Sequence, residues 1–220
     1  DASYTFRTGF IKHLLLAGLE AGRQQTDNLR NTGYFNNTAT SFQTLMSATA
    51  ISTPVTFRQS ATDADNHIGV VSSSLFVQDQ MSLGRYLSFI LGVRGDRFDL
   101  TYHNNRTGDM LNRTDNKLSP KVGLILKPVQ ALSVYASYGV SFLPSSGDQF
   151  SSLTTITQQV KPEQFTNYET GIKLDFSRSL SLTAAVYRLD RTNTRATDPN
   201  DPTRIIQTGS QRTNGFETTF

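Results

Sequence analysis

The sequence predicts an all-β protein: part of an antiparallel, up-and-down transmembrane β-barrel with short periplasmic turns and long extracellular loops. Three observations carry that expectation. Segments of about ten residues alternate apolar and polar side chains, the period of a strand with one dry and one wet face. Full charges occupy the polar side of those segments. The connections between segments alternate between short turns and long polar stretches.

Composition narrows the field first. The chain has 220 residues, 36% of them apolar and 18% charged, with no cysteine. It has neither a disulfide framework nor a thiolate site. No apolar run reaches the ~18 residues that would mark a transmembrane helix. No cationic segment followed by an apolar one opens the chain, so no signal peptide is expected within it. The net charge of +3 is spread out, without the clustered Lys/Arg stripe that nucleic acid requires.

The elements follow in order. Residues 1–7 (DASYTFR) read as the end of a strand, turned near 8–10 into a second strand over 12–23. There Leu15, Ala17, Leu19 and Ala21 oppose Gly18, Glu20 and Gly22. Residues 24–66 form a long polar segment with weak periodicity, in which a helix over 42–50 is conceivable but uncapped. A third strand covers 70–81, and a short turn at 82–85 leads to a fourth over 86–102. This one is the clearest. Leu87, Phe89, Leu91 and Val93 alternate with Ser88, Gly92, Arg94 and Asp96, and Ile90 is the apolar exception.

After a polar loop at 103–115, residues 117–127 alternate again; Pro120 within them suggests an edge or a bulge, because proline cannot donate to the ladder. A short connection at 128–130 leads to a strand over 132–142, and a third polar loop covers 143–163. The next strand, 166–176, sets Tyr168, Thr170, Ile172, Leu174 and Phe176 against Glu169, Gly171, Lys173 and Asp175. A tight turn at 177–179 precedes a strand over 180–190, a polar loop over 191–203 and a last strand over 204–220. The total is about nine strands.

Antiparallel strands joined in this way carry all their short turns at one end, as outer-membrane barrels do. Strand lengths agree, since about 9–11 tilted residues cross a bilayer. A Lys or Arg facing lipid at the midplane costs about 2–4 kcal/mol. Glu20, Arg94, Asp96, Lys121, Glu169, Lys173 and Asp175 are therefore expected inside, beside water. The rival fold is a soluble β-sandwich serving as a binding or adhesin module. It would show turns every 8–12 residues and few long loops.

Seven stretches, in order, carry a family resemblance: residues 13–20 (HLLLAGLE), 75–80 (LFVQDQ), 91–96 (LGVRGD), 118–124 (LSPKVGL), 134–139 (VYASYG) leading to Phe142-Leu143-Pro144, Pro162-Glu163-Gln164 with 168–173 (YETGIK), and 209–217 (GSQRTNGFE). Together they resemble the barrel domain of TonB-dependent ferric-siderophore receptors of the bacterial outer membrane. Residues 192–195 (TNTR) with Asp198-Pro199 look most like the catecholate-type branch. The resemblance implies a barrel of about 22 strands, and a signal peptide, a TonB box and a plug domain that this chain does not hold. It also accounts for Pro120, which family members tolerate there. The whole chain would be a partial barrel domain, not functional alone, because open sheet edges are untenable in lipid.

The implied function is capture and energised import of a ferric siderophore, with no catalytic residues and no cofactor, since the iron arrives chelated. The implied partners are the siderophore, outer-membrane lipid or lipopolysaccharide, and the TonB complex through the N-terminal part. A passive porin is the functional rival. Guanidinium groups and aromatic rings suit an anionic, flat-faced chelate. The candidates are Arg30, Tyr34, Phe35, Phe57 and Arg58 in the first loop, Tyr102, His103 and Arg106 in the second, and Phe142 and Phe150 in the third. No metal site is expected. His13, His67 and His103 lack ligand spacing, and Asp63 and Asp65 read as ordinary loop acids.

Overall fold

A computed structural model describes residues 1–41, 43, 53–143, 161–177, 180–199 and 201–220. Phe150, most of the conceivable helix over 42–50, and Arg178 and Ser179 of the fourth short turn lie outside these residues. The described strands are β1 (Ala2–Thr8), β2 (Ile11–Leu29), β3 (Thr32–Phe35), β4 (Val55–Arg58), β5 (Asp65–Leu83), β6 (Leu87–Asn104), β7 (Met110–Val129), β8 (Leu132–Leu143), β9 (Glu163–Ser177), β10 (Leu180–Asp198) and β11 (Asp201–Thr219). Nine of them form one sheet in the order β1-β2-β5-β6-β7-β8-β9-β10-β11, and β3 pairs with β4 separately. Every neighbouring pair is antiparallel, so where two strands are paired their backbone donors and acceptors satisfy one another.

The register turns the alternation of single strands into continuous faces. One row runs Ile11, Leu83, Leu87, Leu126, Val134, Ile172, Ala184 from strand to strand. The next on the same face runs Met81, Phe89, Leu124, Ala136, Thr170, Val186, Phe216. Many of these side chains are open to the surroundings, as are Leu19 (79% exposed) and Leu75 (60%), opposed across β2 and β5, and Leu118 (63%) of β7. An apolar band this wide and this exposed has no covering layer among the described residues. Tyr138 and Tyr168, opposed across β8 and β9 with ring centroids 5.2 Å apart, edge the band on the side away from the short turns. Arg188, opposite Tyr168, begins the charged zone beyond.

Strand extends well into three of the polar segments read as loops. β2 runs on to Leu29 and β5 begins at Asp65; β6 reaches Asn104 and β7 starts at Met110; β10 and β11 fill most of 191–203, meeting in a turn closed by the pair Asp198 and Asp201. The ladder continues past the apolar band, but there both faces are wet. Alternation in hydrophobicity then disappears while the hydrogen bonds do not. The segment between β2 and β5 also holds the β3–β4 hairpin.

The short connections gather at the opposite end. Gly9 (φ 60°) and Gly84 (φ 62°) supply the left-handed residues that let Thr8 face Ile11 and Leu83 face Leu87 across tight turns. Pro120 keeps its place opposite Val93, while pairing of β7 with β8 ends at Lys121 and Gly139. The proline thus stands where β8 departs from β7, a position that needs no amide donor on that side. A cavity of about 470 Å³ opens at this divergence, bordered by Arg94, Ser119, Pro120, Lys121 and Asn167. A small core of Ile68, Val70, Leu100 and Tyr102, joined by Leu111, lies on the polar side beyond the band.

Candidate functional site

The polar face carries a chain of charge-assisted contacts. Arg94 donates through Nε to Asp96 (2.8 Å) and through Nη2 to Glu20 (2.9 Å) and Ser74 (2.8 Å), linking β2, β5 and β6. Tyr135 donates its hydroxyl to Glu169 at 2.7 Å. Lys173 and Asp175 lie 3.5 Å apart along β9. Lys121 sits across from Gly92 and Gly139. The register puts Glu20, Arg94, Asp96, Lys121, Glu169, Lys173 and Asp175 all on the face opposite the apolar band.

A signal for much of this was present in the sequence. Arg-x-Asp or Lys-x-Asp recurs along single strands: Arg94/Asp96, Arg97/Asp99, Arg113/Asp115, Lys173/Asp175 and Arg188/Asp190 are all ion pairs. Residues two apart on a strand share a face, and an arginine is long enough to reach back. Exposed pairs of this sort contribute only about 0–1 kcal/mol each. Their use is to hold side-chain direction.

Beyond the band, the loops converge on a residue that sequence reading passed over. Asp63 is no ordinary loop acid: its side chain is 1% exposed. It accepts from Ser60 N–H (2.7 Å), from Thr32 Oγ1 (2.7 Å to Oδ2) and from Arg30 Nε (2.7 Å). Arg106 Nη1 donates to the Ser60 and Asp63 carbonyls at 2.8 and 2.7 Å, tying the second loop to the first. Asp65, the first residue of β5, accepts from Asn105 Nδ2 (2.8 Å). Two candidate ligand residues, Arg30 and Arg106, are thus brought together as fasteners of the loops.

The Ser60 amide first, then Thr32 and Arg30, hold the Asp63 carboxyl well below the usual carboxylate range. A pKa lowered on folding stabilises at every pH above the unfolded value and is lost as pH falls through the folded one. Hydrogen-exchange protection of the Ser60 and Arg30 amides, corrected for intrinsic exchange, is expected to stay flat from pH 7 to about pH 4. Below about pH 4, where the opened loop begins to take up a proton and the closed one does not, protection is expected to fall progressively; protection unchanged down to about pH 2 would contradict this assignment.

The other candidates fall in separate places. Arg58 lies over the Tyr34 ring at 3.8 Å and donates to Asn37 Oδ1 (3.2 Å); Phe35 and Phe57 share that hairpin, with Phe57 exposed beside Gly33. Tyr102 is buried in the small core. Phe142 is opposite Gln164, with Lys117 Nζ 5.4 Å from its ring. His103 stands directly opposite His67, so two histidines judged remote in sequence are cross-strand neighbours. The buried Glu163, held by Arg191 Nη2 at 2.6 Å, was not foreseen.

A long antiparallel sheet with an exposed apolar band on one face and bridged charges on the other is the wall of a transmembrane β-barrel. The chain belongs to the TonB dependent receptor-like, β-barrel family, whose model matches residues 1–220. Barrels of that family lie in the bacterial outer membrane, and its members are receptors and transporters. The chain is 29% identical over 236 residues to the probable TonB-dependent siderophore receptor PiuA of Acinetobacter baumannii, covering 96% of this chain and 31% of that protein. It is 28% identical over 220 residues to the metal-pseudopaline receptor CntO of Pseudomonas aeruginosa, covering 97% and 30%.

Among solved structures, the siderophore receptor PiuA of Acinetobacter baumannii superposes with TM-score 0.77 at 24% identity, over 98% of this chain and 34% of that one. The ferric-catecholate import receptor Fiu of E. coli K12, closed form, gives 0.74 at 21%, over 98% and 33%. These likenesses establish the fold. The chain spans about a third of the length of the relatives it matches.

Proposed function

We propose that the chain is part of the barrel domain of an outer-membrane receptor that binds a ferric siderophore and imports it with energy from the TonB system. The single observation carrying this reading is the family match over all 220 residues. The barrel would have about 22 strands, of which the nine-stranded sheet supplies a sector. The polar face lines a water-filled lumen, and Glu20, Arg94, Asp96, Lys121, Glu169, Lys173 and Asp175 set its field. The ends away from the short turns face the cell exterior, where Arg58 with Tyr34, Phe35, Phe57 and Phe142 are the candidate contacts for an anionic chelate; Phe150, outside the described residues, is a candidate from the sequence alone, and His103 is on the face that bears the apolar band. Catecholate chemistry is favoured by residues 192–195 with Asp198-Pro199.

Import needs no bond to be made or broken, so the protein is not an enzyme and needs no resident cofactor; iron comes and goes inside its chelator. The TonB complex would engage a part of the protein outside these residues. Lipid contacts the apolar band, and lipopolysaccharide phosphates suit the zone beyond it, where Asp190 fixes Arg188 at 2.8 Å and Arg212 at 2.6 Å. The test is uptake of radiolabelled iron, and growth, in an iron-starved strain deleted for the full-length receptor. Uptake is expected to fall for at least one siderophore and to return on complementation. Unchanged uptake across a panel of catecholate, hydroxamate and carboxylate siderophores would remove the reading.

A further inference from the structure

His67 of β5 and His103 of β6 are directly opposed, and Asp27 of β2 is opposite His67 on its other side. All three belong to the face that bears the apolar band, but they lie beyond it. The register descends from His67 and His103 through Gly69/Thr101, Val71/Asp99 and Ser73/Arg97 before reaching Leu75. At about 3.3 Å per residue, those eight residues of strand hold the histidines well clear of lipid. Both rings are reachable: His67 is 42% exposed and His103 half-buried.

Asp27 Oδ1 lies 2.6 Å from His67 Nδ1. A carboxylate only accepts, so Nδ1 carries the proton and Nε2 of the neutral ring keeps its lone pair. A carboxylate behind one ring nitrogen is the arrangement that orients a metal-ligating histidine and raises its basicity. Directly opposed residues on one sheet face have Cβ atoms about 4.5–5.5 Å apart. That spacing lets two imidazoles reach one ion at the usual metal–nitrogen distance of about 2.0–2.1 Å. Among the described residues no three His, Cys, Asp or Glu side chains form a metal-binding group. A site here would draw on two imidazoles, with water completing the coordination and Asp27 acting through His67.

The third histidine makes a useful contrast. His13 Nδ1 lies 2.7 Å from Asp79 Oδ2, its ring stacks on Phe6 at 4.5 Å, and its Nε2 is buried without a partner. No ion reaches that nitrogen from outside.

We propose that His67 and His103 form an extracellular binding site for a divalent transition-metal ion of the class that prefers imidazole, Cu²⁺, Ni²⁺ or Zn²⁺, with Asp27 setting the tautomer of His67. The site is on the outer wall and does not depend on the import reading. The test titrates the full-length receptor, in detergent and free of siderophore, with CuCl₂, followed by calorimetry and electron paramagnetic resonance. A wild-type signal with coupling to two nitrogens is expected, lost in His103→Gln and in His67→Gln with at least a tenfold drop in affinity. Asp27→Asn is expected to weaken binding by about 10–100-fold, and His13→Gln to leave the signal intact. Each variant is first checked as folded by its heat-dependent gel mobility. Identical Cu²⁺ affinity and spectrum in wild type and the His67→Gln/His103→Gln double variant would overturn the proposal. A one-nitrogen wild-type signal would overturn it equally. Iron uptake is read separately, so failure of the transport reading leaves this result standing.

Discussion

Ala136→Arg in the full-length receptor is expected to destabilise the barrel by about 2–4 kcal/mol, while Ser137→Arg, one residue along, changes stability by no more than about 0.5 kcal/mol. Ala136 is on the apolar face, between Leu124 of β7 and Thr170 of β9. It lies a few residues from the short-turn end of β8, near the middle of the band, where a guanidinium has neither water nor a counter-ion. Ser137 is between Gly123 and Glu169 on the polar face, where a new cation meets an existing carboxylate. Adjacent residues of one strand share backbone, depth and neighbouring strands; only the face differs. Urea-titrated folding into lipid vesicles reads both variants directly. Equal losses would mean that the two faces meet the same solvent.

Gly171→Val is expected to cost about 1–3 kcal/mol by overpacking, and Gly139→Val on the same face almost nothing. A Cβ at Gly171 would lie 2.7 Å from the Ala184 carbonyl oxygen and 2.7 Å from the Tyr135 ring; at Gly139 it meets nothing within 4 Å. The ring could swing away, but only by giving up its bond to Glu169, and the backbone oxygen cannot. The motif recurs: Phe76 covers Gly18 and Tyr187 covers Gly215, each ring directly opposite its glycine. Aromatic rings laid over cross-strand glycines restore apolar contact that the glycine lacks, and they lie along the wall instead of standing off it. Thermal unfolding of the two variants separates this close approach from a general intolerance of bulk.

The sequence made the band legible because there the two faces of each strand differ. Leu87 to Val93 against Arg94 and Asp96 could be read as a strand with sides from that contrast alone. Past the band, residues such as Thr26, Asn28, Asn112 and Thr114 keep the ladder with no apolar face to mark it, so those strands looked like loops. Asp63 was illegible for another reason. Its donors Thr32, Arg30 and Ser60 come from both flanks of a long excursion, and only the closed loop brings them together. The His67 and His103 pairing was hidden likewise, since cross-strand neighbours have no fixed sequence spacing. The Arg-x-Asp pairs, by contrast, were readable as soon as the strand period was accepted.

The most direct test of the two-faced wall is a spin-label scan along β6 in the full-length receptor reconstituted in bilayers, one cysteine at a time from Leu87 to Asn104. Labels at 87, 89, 91 and 93 are expected to collide with oxygen dissolved in lipid. Those at 92, 94 and 96 should collide instead with a water-soluble nickel chelate, and the alternation should fade beyond residue 97. Equal access of the nickel chelate to both sets would contradict a membrane wall with a watered interior.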